Sequence, residues 1–426
     1  MQHGSVFTGH NAVHLFWENF MNDSITRRVI LTLQDFYDLM DQTATVRRQA
    51  VTVALAGDPG RQRHAASLQV ALECLNAIPG TDSGKPFERR LALDQEHEIH
   101  VDLSYEITEL ARDVVYMELG EPALLTILED KSPGLRDQAD QLARALGDNS
   151  FRCLITDRDG TVNNYCGRYR SSIQAMYNAV FLTRFARAKT RIPIMVTSGP
   201  LSGPGLMDVS VMPDKTMVMA ASKGREFIDL AGAYRAFPAE EGQTKLLKDL
   251  HGRLQQLISN PVRRKFGLIG SGLQVKFGQL TVARQDISGS VSADESDAFL
   301  HDVAALVREL DPDATRLRIE DTGLDIEIIL TIQSDTGLKD FDKGDGVAYL
   351  DQTLGLDLSQ GPHLVCGDTF SDLPMLRVTM EKCPDTRAVF VTRKKELHQA
   401  VLELCPQALI VAEPDVLVLA LNQLTR

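Results

Sequence analysis

Residues Thr156-Asp157-Arg158-Asp159-Gly160-Thr161 directly follow the apolar run FRCLIT, which reads as a buried strand. Carboxyl ends of strands are where open α/β sheets place their sites. Two carboxylates so close need not both point into the sheet, because the chain turns at Gly160. An acidic loop of this kind is costly unless a cation neutralises it. Magnesium supplies that charge and takes carboxylate oxygens as ligands. Asp157 can then attack phosphorus and form an acyl phosphate. Asp159 can protonate the leaving alcohol and afterwards activate water.

A second acidic loop, Gly367-Asp368-Thr369-Phe370-Ser371-Asp372-Leu373-Pro374, follows the apolar run HLVC. Asp368 and Asp372 are spaced so that one can bind metal while the other braces a ligand, a water or a lysine. Pro374 suits the first turn of a helix. Between the two loops, IMVTSG reads as a strand ending at Ser198, whose hydroxyl can bond a phosphoryl oxygen. The stretch FDKGDG puts Lys343 at a helix start, where its charge can offset that of a phosphoryl group in transfer. Alone, each piece has a plainer account: a turn, a capped loop, an N-cap serine, a solvated lysine.

The surrounding elements must bring these pieces together. From Ser150 onward short apolar runs alternate with helical patterns: FRCLIT, then IQAMYNAVFLTRFARA, then IPIMVT. HLVCG, AVFVT and ALIVA repeat the texture near the C-terminus. Strand–helix–strand alternation predicts an α/β fold with a parallel sheet. Residues 201–335 read differently. MVMAAS predicts a strand, FIDLAGAYRAF a hairpin, and Thr244–Ser259 a helix striped with Leu247, Leu250, Leu254, Leu257 and Ile258. FGLIGSGLQVKFGQLTVARQD predicts paired strands. A helix capped by Ser292 and Glu295 follows, and then the hairpin RLRIEDTGLDIEIILTI. Residues 1–149 read as mainly helical, with helices over Ala65–Ile78, Val101–Leu119 and LRDQADQLARAL, stopped at Gly120 and Gly147. His64, His97 and His100 share no helical face with carboxylates there, so this part predicts an accessory or oligomerisation domain.

The aspartate pair, strand-end serine, helix-start lysine and GD…D loop occur in one consistent order. Over residues 150 to about 426 the chain resembles the haloacid dehalogenase superfamily. The resemblance implies a Rossmann-like core over 150–200 and 336–426. In it Asp157 is the nucleophile and Asp159 the acid/base. Ser198 and Lys343 bind phosphate, and Asp157, Asp159, Asp368 and Asp372 form a Mg2+ site, Asp159 through its backbone carbonyl. The insert at 201–335 falls where this superfamily carries its type-2 cap, and is similar to that of trehalose-6-phosphate phosphatases. By that likeness Lys276 and Glu327 contact the sugar. Pro200 stands where sugar phosphatases usually carry arginine, and Thr369 where trehalose phosphatases carry a second aspartate. Other glycosyl phosphates, a phosphomutase, and a catalytically idle regulatory or binding protein stay open as alternatives.

The 426 residues predict two or three domains. The formal net charge of −13 argues against nucleic acid or an anionic membrane as partner. A phosphorylated small molecule fits, because a metal ion and a few lysines dominate locally. The N-terminal domain is a place for self-association or for a synthase partner. The six cysteines form no CxxC pair and read as small buried hydrophobes in a reducing cytoplasm. The N-terminus has no basic leader and its apolar stretch is broken by His14, Glu18 and Asn19, so no signal peptide is expected. No apolar run approaches the ~20 residues of a membrane helix.

Overall fold

A computed structural model describes residues 24–57, 61–93, 97–334 and 337–426. The broken stretch at His14, Glu18 and Asn19 lies outside the described residues. The N-terminal part holds helices α1 (Leu33–Ala56) and α2 (Arg61–Asn76), strands β1 (Glu88–Ala92) and β2 (Glu98–Asp102), and helices α3 (Ser104–Leu119), α4 (Glu121–Lys131) and α5 (Leu135–Leu146). Helix α1 opens on a capping box, with Thr32 accepting from the Asp35 amide. The antiparallel β1–β2 hairpin departs from the all-helical reading and takes Val101 and Asp102 out of the expected helix. Its alternation is real, with Leu91, Ile99 and Val101 buried, but charged residues between them mask it in the sequence.

The central sheet has eight strands in the order β16-β15-β14-β3-β4-β5-β6-β7. These are β3 (Phe151–Thr156), β4 (Thr190–Val196), β5 (Val218–Ala221), β6 (Glu226–Ile228), β7 (Tyr234–Ala236), β14 (His363–Gly367), β15 (Thr386–Val391) and β16 (Leu409–Val411). Strands β16 to β5 are mutually parallel, and β6 and β7 extend the edge antiparallel. Residues 218–236, read from the sequence as part of the insert, therefore continue the core sheet. The predicted strand and hairpin are present; their attachment was not readable, because it depends on the backbone pairing of β5 with β4.

Alternation along β3 sends Cys153 and Ile155 to one face and Leu154 to the other. The first face packs on α10 (Lys343–Leu354), α11 (Leu373–Lys382) and α12 (Lys395–Leu404) through Val347, Leu350, Met375 and Leu397. The second packs on α6 (Met176–Lys189) and α13 (Pro414–Gln423), and its core runs on into the N-terminal helices. All six cysteines are free and buried. No helix among the described residues is long and apolar enough to cross a membrane.

A separate four-stranded antiparallel sheet has the order β10-β11-β9-β8, made of β8 (Leu273–Lys276), β9 (Gln279–Ala283), β10 (Leu317–Asp321) and β11 (Asp325–Leu330). One face packs Leu280, Val282, Ile326 and Ile328 against helices α8 (Glu241–Ser259) and α9 (Ala293–Leu310). The buried leucines of α8 are Leu246, Leu250 and Leu254, so its inner stripe starts one residue earlier than predicted. Ser292 caps α9 by accepting from the Glu295 amide, as the sequence predicts. Phe266 and Phe299 stack with centroids 3.8 Å apart under this sheet. Phe299 is wholly buried, so Phe299→Ala removes the stack and leaves a cavity. The expected cost is about 3–5 kcal/mol, read as an early urea transition of this unit by tyrosine-independent amide exchange while the central sheet keeps its protection.

Candidate active site

Strands β14, β3 and β4 run level: Thr156 pairs with Cys366 on one side and Met195 on the other. Their carboxyl ends therefore deliver Asp368, Asp157 and Ser198 to one place. Strand order reverses beside β3, since sequence continues from β3 to β4 on one side and β14 lies on the other. That is the crevice where α/β sheets gather ligands.

Asp157 is buried, and its amide donates to the Cys366 carbonyl at 3.0 Å. Lys343 Nζ donates to Asp157 Oδ1 and to Asp372 Oδ1, each at 2.5 Å. Thr161 Oγ1 reaches Asp157 Oδ2 at 3.1 Å and Asp368 Oδ1 at 3.2 Å. Asp372 Oδ2 accepts from the amides of Asp368 and Thr369 at 3.0 and 2.9 Å and from the Thr369 hydroxyl at 2.9 Å. Asp372 thus holds the Asp368 loop on one side and Lys343 on the other.

Two glycine positions make this approach possible. Gly160 has φ +85°, and a Cβ there would lie 2.1 Å from Asp368 Oδ2. Gly346 packs α10 against the Lys223–Gly224 backbone, with the Lys223 carbonyl 2.0 Å from any added Cβ. Helix α10, capped by Asp342 and Asp345, begins at Lys343. Its close seating puts the lysine at the strand ends instead of in solvent.

The electrostatics are unbalanced. Asp157, Asp368 and Asp372 place ligand atoms within 4.8 Å of one another, against the single ammonium of Lys343. Burial pushes the Asp157 carboxyl up to about 6, with Asp372 and Asp159 adding to it against the opposing pull of Lys343. Burial, then the charges of Asp157 and Asp372, push Asp368 up to about 8. The same carboxylates raise Lys343 above the ordinary lysine range against its own desolvation. A hard divalent cation fits this donor set, because its charge offsets both the burial and the mutual repulsion that raise the two carboxyls.

Asp159 lines the same cavity, of about 220 Å³, together with Asp157, Ser198, Lys276, Lys343 and Asp368. Its Oδ1 accepts from the guanidinium of Arg158, a fully buried side chain, and from Ser172 Oγ at 2.9 Å. The four-stranded sheet presents a polar face here. Gln274 and Lys276, two apart on β8, share a side, and Gln274 and Glu327 both stand opposite Thr281. Lys276 Nζ lies 3.8 Å from Glu327 Oε1 and is buried, which lowers its pKa. Arg225 clasps the β8–β9 turn at the Gly278 carbonyl, 3.0 Å away, and Ser222 Oγ accepts from the Phe277 amide at 2.8 Å.

The structure brings Asp157, Asp159, Ser198, Lys343, Asp368 and Lys276 onto one cavity. Asp372 lies behind it, fully buried, and Glu327 meets it through Lys276. Sequence reasoning missed Tyr169, Thr197, Ser271 and Gln274, which also line the cavity. Gln274 was within reach, since period-2 alternation puts it beside Lys276. Tyr169, whose buried hydroxyl has no partner among the described residues, opens a single 3-10 turn, Tyr169–Ser171, too short to leave a pattern in the sequence.

Residues 154–417 match the family model described as trehalose-6-phosphate phosphatase, C-terminal, and residues 32–129 match that of its N-terminal helical bundle domain. Among curated proteins, alpha,alpha-trehalose-phosphate synthase [UDP-forming] 2 of Aphelenchoides avenae is 33% identical over 425 residues, covering 94% of this chain and 32% of that protein. A trehalose-phosphatase of Brugia malayi is 34% identical over 281 residues, covering 64% of this chain and 56% of that one. The chain thus spans about a third of the length of the synthase-named relatives. The trehalose-6-phosphate phosphatase structure of Aspergillus fumigatus covers 67% of this chain and 97% of its own at 15% identity, with a TM-score of 0.39. The first of these matches takes in every strand end that carries the acidic cluster and the whole of the inserted sheet, and on it the chain belongs to the trehalose-6-phosphate phosphatase family.

Proposed function

We propose that the chain hydrolyses the phosphate monoester of a phosphorylated sugar, with trehalose 6-phosphate as the substrate to test first. The observation that carries this reading is the pairing of Lys343 Nζ with Asp157 at 2.5 Å. It presents a buried carboxylate beside a fixed cation, in a cavity whose lining also carries the sugar-compatible donors Gln274, Lys276 and Ser271. Family membership supports the same class of reaction.

The Asp157 carboxylate attacks phosphorus, and the bond from phosphorus to the sugar oxygen breaks. Asp159 gives its proton to that departing oxygen. Water then enters, Asp159 takes one of its protons, and the oxygen attacks phosphorus. The bond to Asp157 breaks and inorganic phosphate leaves. Lys343 and Ser198 hold phosphoryl oxygens through both steps, which keeps the transferred group in line. Asp372 fixes Lys343 and the Asp368 loop and touches no substrate. Asp157, Asp368 and the Asp159 carbonyl would hold a magnesium ion, with Asp372 bracing the site, and the ion would supply positive charge to offset the carboxylates and the phosphoryl oxygens. Lys276 and Glu327, paired on the cap sheet, select for sugar hydroxyls.

Asp157→Asn keeps the shape of the side chain and removes the nucleophile. Phosphate release from trehalose 6-phosphate with magnesium present is expected to fall by about 10⁴-fold or more. Near-normal release by a folded Asp157→Asn protein would end the covalent reading.

A second expectation concerns protons. Asp157 is raised to about 6 and Asp368 to about 8 in the metal-free site. Both shifts are upward, so the empty cluster retains protons near neutrality that a cation must displace. Magnesium affinity should weaken as pH falls from about 8 through about 6, and binding at pH ~7 should release protons. Titration calorimetry in buffers of different ionisation enthalpy reads the release directly. Buffer-independent heats and an affinity flat across that range would contradict it.

A further inference from the structure

Arg158 sits between the two catalytic aspartates in sequence and is wholly buried. Its guanidinium forks. Nη1 donates to Asp159 Oδ1 and to Ser172 Oγ at 3.1 Å; Nη2 donates to the Ser172 carbonyl and to the Val209 carbonyl at 3.3 Å. Ser172 Oγ in turn donates to Asp159 Oδ1. Both bonds fall on one carboxylate oxygen, so Oδ2 is the atom left without a hydrogen-bond partner among the described residues. The planar fork is fixed against the Ser172 and Val209 carbonyls, so Nη1 meets Oδ1 from a set direction and, with Ser172 Oγ, pins that oxygen in place.

Ser172 belongs to the loop that links the β3 motif to helix α6, and that loop is built on helix α3 of the N-terminal bundle. Tyr105 of α3 donates to the Ile173 carbonyl at 2.8 Å and accepts from Asn163 Nδ2 at 3.1 Å. Asn163 closes the motif's turn, its carbonyl accepting from the Gly160 amide at 2.7 Å and its amide donating to the Arg158 carbonyl at 2.9 Å. One residue on, Glu106 accepts from Ser171 Oγ at 2.6 Å and from Arg168 at 3.0 Å. The loop therefore takes its shape from hydrogen bonds across a domain contact, and the acid/base carboxylate takes its orientation from the loop.

We propose that the N-terminal helical bundle is a positioning element of the active site: Tyr105 and Glu106 on α3 hold loop 163–173, and through Ser172 and Arg158 that loop aims Oδ2 of Asp159 at the reacting oxygen. This rests on the reading of Asp159 as acid and base. It assigns the bundle a task within the chain, separate from any surface it offers to partners. Arg158, Ser172 and Tyr105 are positioning residues and touch no substrate.

The test compares two leaving groups in single turnovers of full-length protein with magnesium, enzyme in excess. Release of the sugar from trehalose 6-phosphate needs a proton; release of p-nitrophenol from p-nitrophenyl phosphate does not. Asp159→Asn serves as the reference and is expected to slow the sugar step by about a hundredfold or more and the phenol step far less. Ser172→Ala and Tyr105→Phe, chosen because Arg158 variants strand a buried network, are expected to slow the sugar step by about tenfold and leave the phenol step within about twofold. Ser172→Thr, which keeps the hydroxyl, should restore the sugar step. If Asp159→Asn slows both steps alike, the acid assignment is wrong. If it discriminates while Ser172→Ala and Tyr105→Phe match the parent protein, or slow both steps alike, the positioning role of the bundle is overturned.

Discussion

The structure turns on a charge imbalance at three strand ends. Ligand atoms of Asp157, Asp368 and Asp372 converge within 4.8 Å, and among the described residues Lys343 is the lysine that bonds to them, reaching Asp157 and Asp372. Repulsion of this order in a buried site costs several kcal/mol per uncompensated charge. The protein accepts it by surrounding one carboxylate, Asp372, with three donors besides the lysine. Asp157 and Asp368 are left with raised pKa values and oxygens facing the cavity. The fold thus places its local hydrogen bonds on the brace and keeps the other two carboxylates under-neutralised. Those are the two groups that a cation and a phosphoryl group would engage.

The rest of the architecture follows from delivering those groups. Parallel strands β14, β3 and β4 end level, so residues far apart in sequence arrive together. The lysine cannot arrive from a strand, because the neighbouring strand ends are taken. It comes from the first turn of α10, and only a glycine at 346 lets that helix sit against the Lys223 carbonyl. The inserted sheet solves a different problem. Its apolar face is consumed by α8 and α9, which leaves a polar face that water or the core must satisfy. Gln274, Lys276, Gln279 and Thr281 are buried, so the core covers that face, and Arg225 and Ser222 fasten the turn at its end.

Much of this was legible in the sequence, for physical reasons. Asp157, Asp159, Ser198, Lys343 and Asp368 could be found because a strand, a turn residue and a reactive side chain stand next to one another in the chain. Sequence order then carries the spatial order, since parallel strands must be joined by crossovers. Helix stops at Gly120 and Gly147 and the Ser292 cap are equally local. Lys276 and Glu327 stood out only through likeness to relatives, and they meet across two intervening strand pairings that no local pattern reports. The attachment of β5–β7 to the core was hidden for the same reason, and the β1–β2 hairpin because glutamate, arginine and histidine fill its outward positions. Arg158 stands in the middle of the strongest motif, yet the motif alone does not reveal what it does. Its role depends on Ser172 and Val209, which come from two other segments.

The contact between bundle and core is unusual in its chemistry. Alongside its apolar packing it buries ion pairs: Arg168–Glu106 at 3.0 Å and Arg112–Asp415 at 3.3 Å cross it, and Arg47–Asp113 at 2.5 Å and Arg112–Glu109 at 2.7 Å lie within the bundle beside it. Asp415 of α13 joins it through Tyr177 Oη at 2.7 Å, and Asp113 also accepts from the Met176 amide at 2.7 Å, at the first residue of α6. Such pairs add little net stability over apolar packing, because desolvation offsets most of the attraction. What they do well is penalise any shift of register, since a displaced partner leaves a buried charge alone. Glu106, Glu109 and Asp113 recur every three or four residues on α3 and so line one face of the helix. That face meets the loop after β3, the start of α6 and the last helix. A surface meant only to hold two domains together needs no such discrimination. One that must keep a catalytic loop in a single arrangement does, and the polar face of α3 is directed at the loop that carries Ser172.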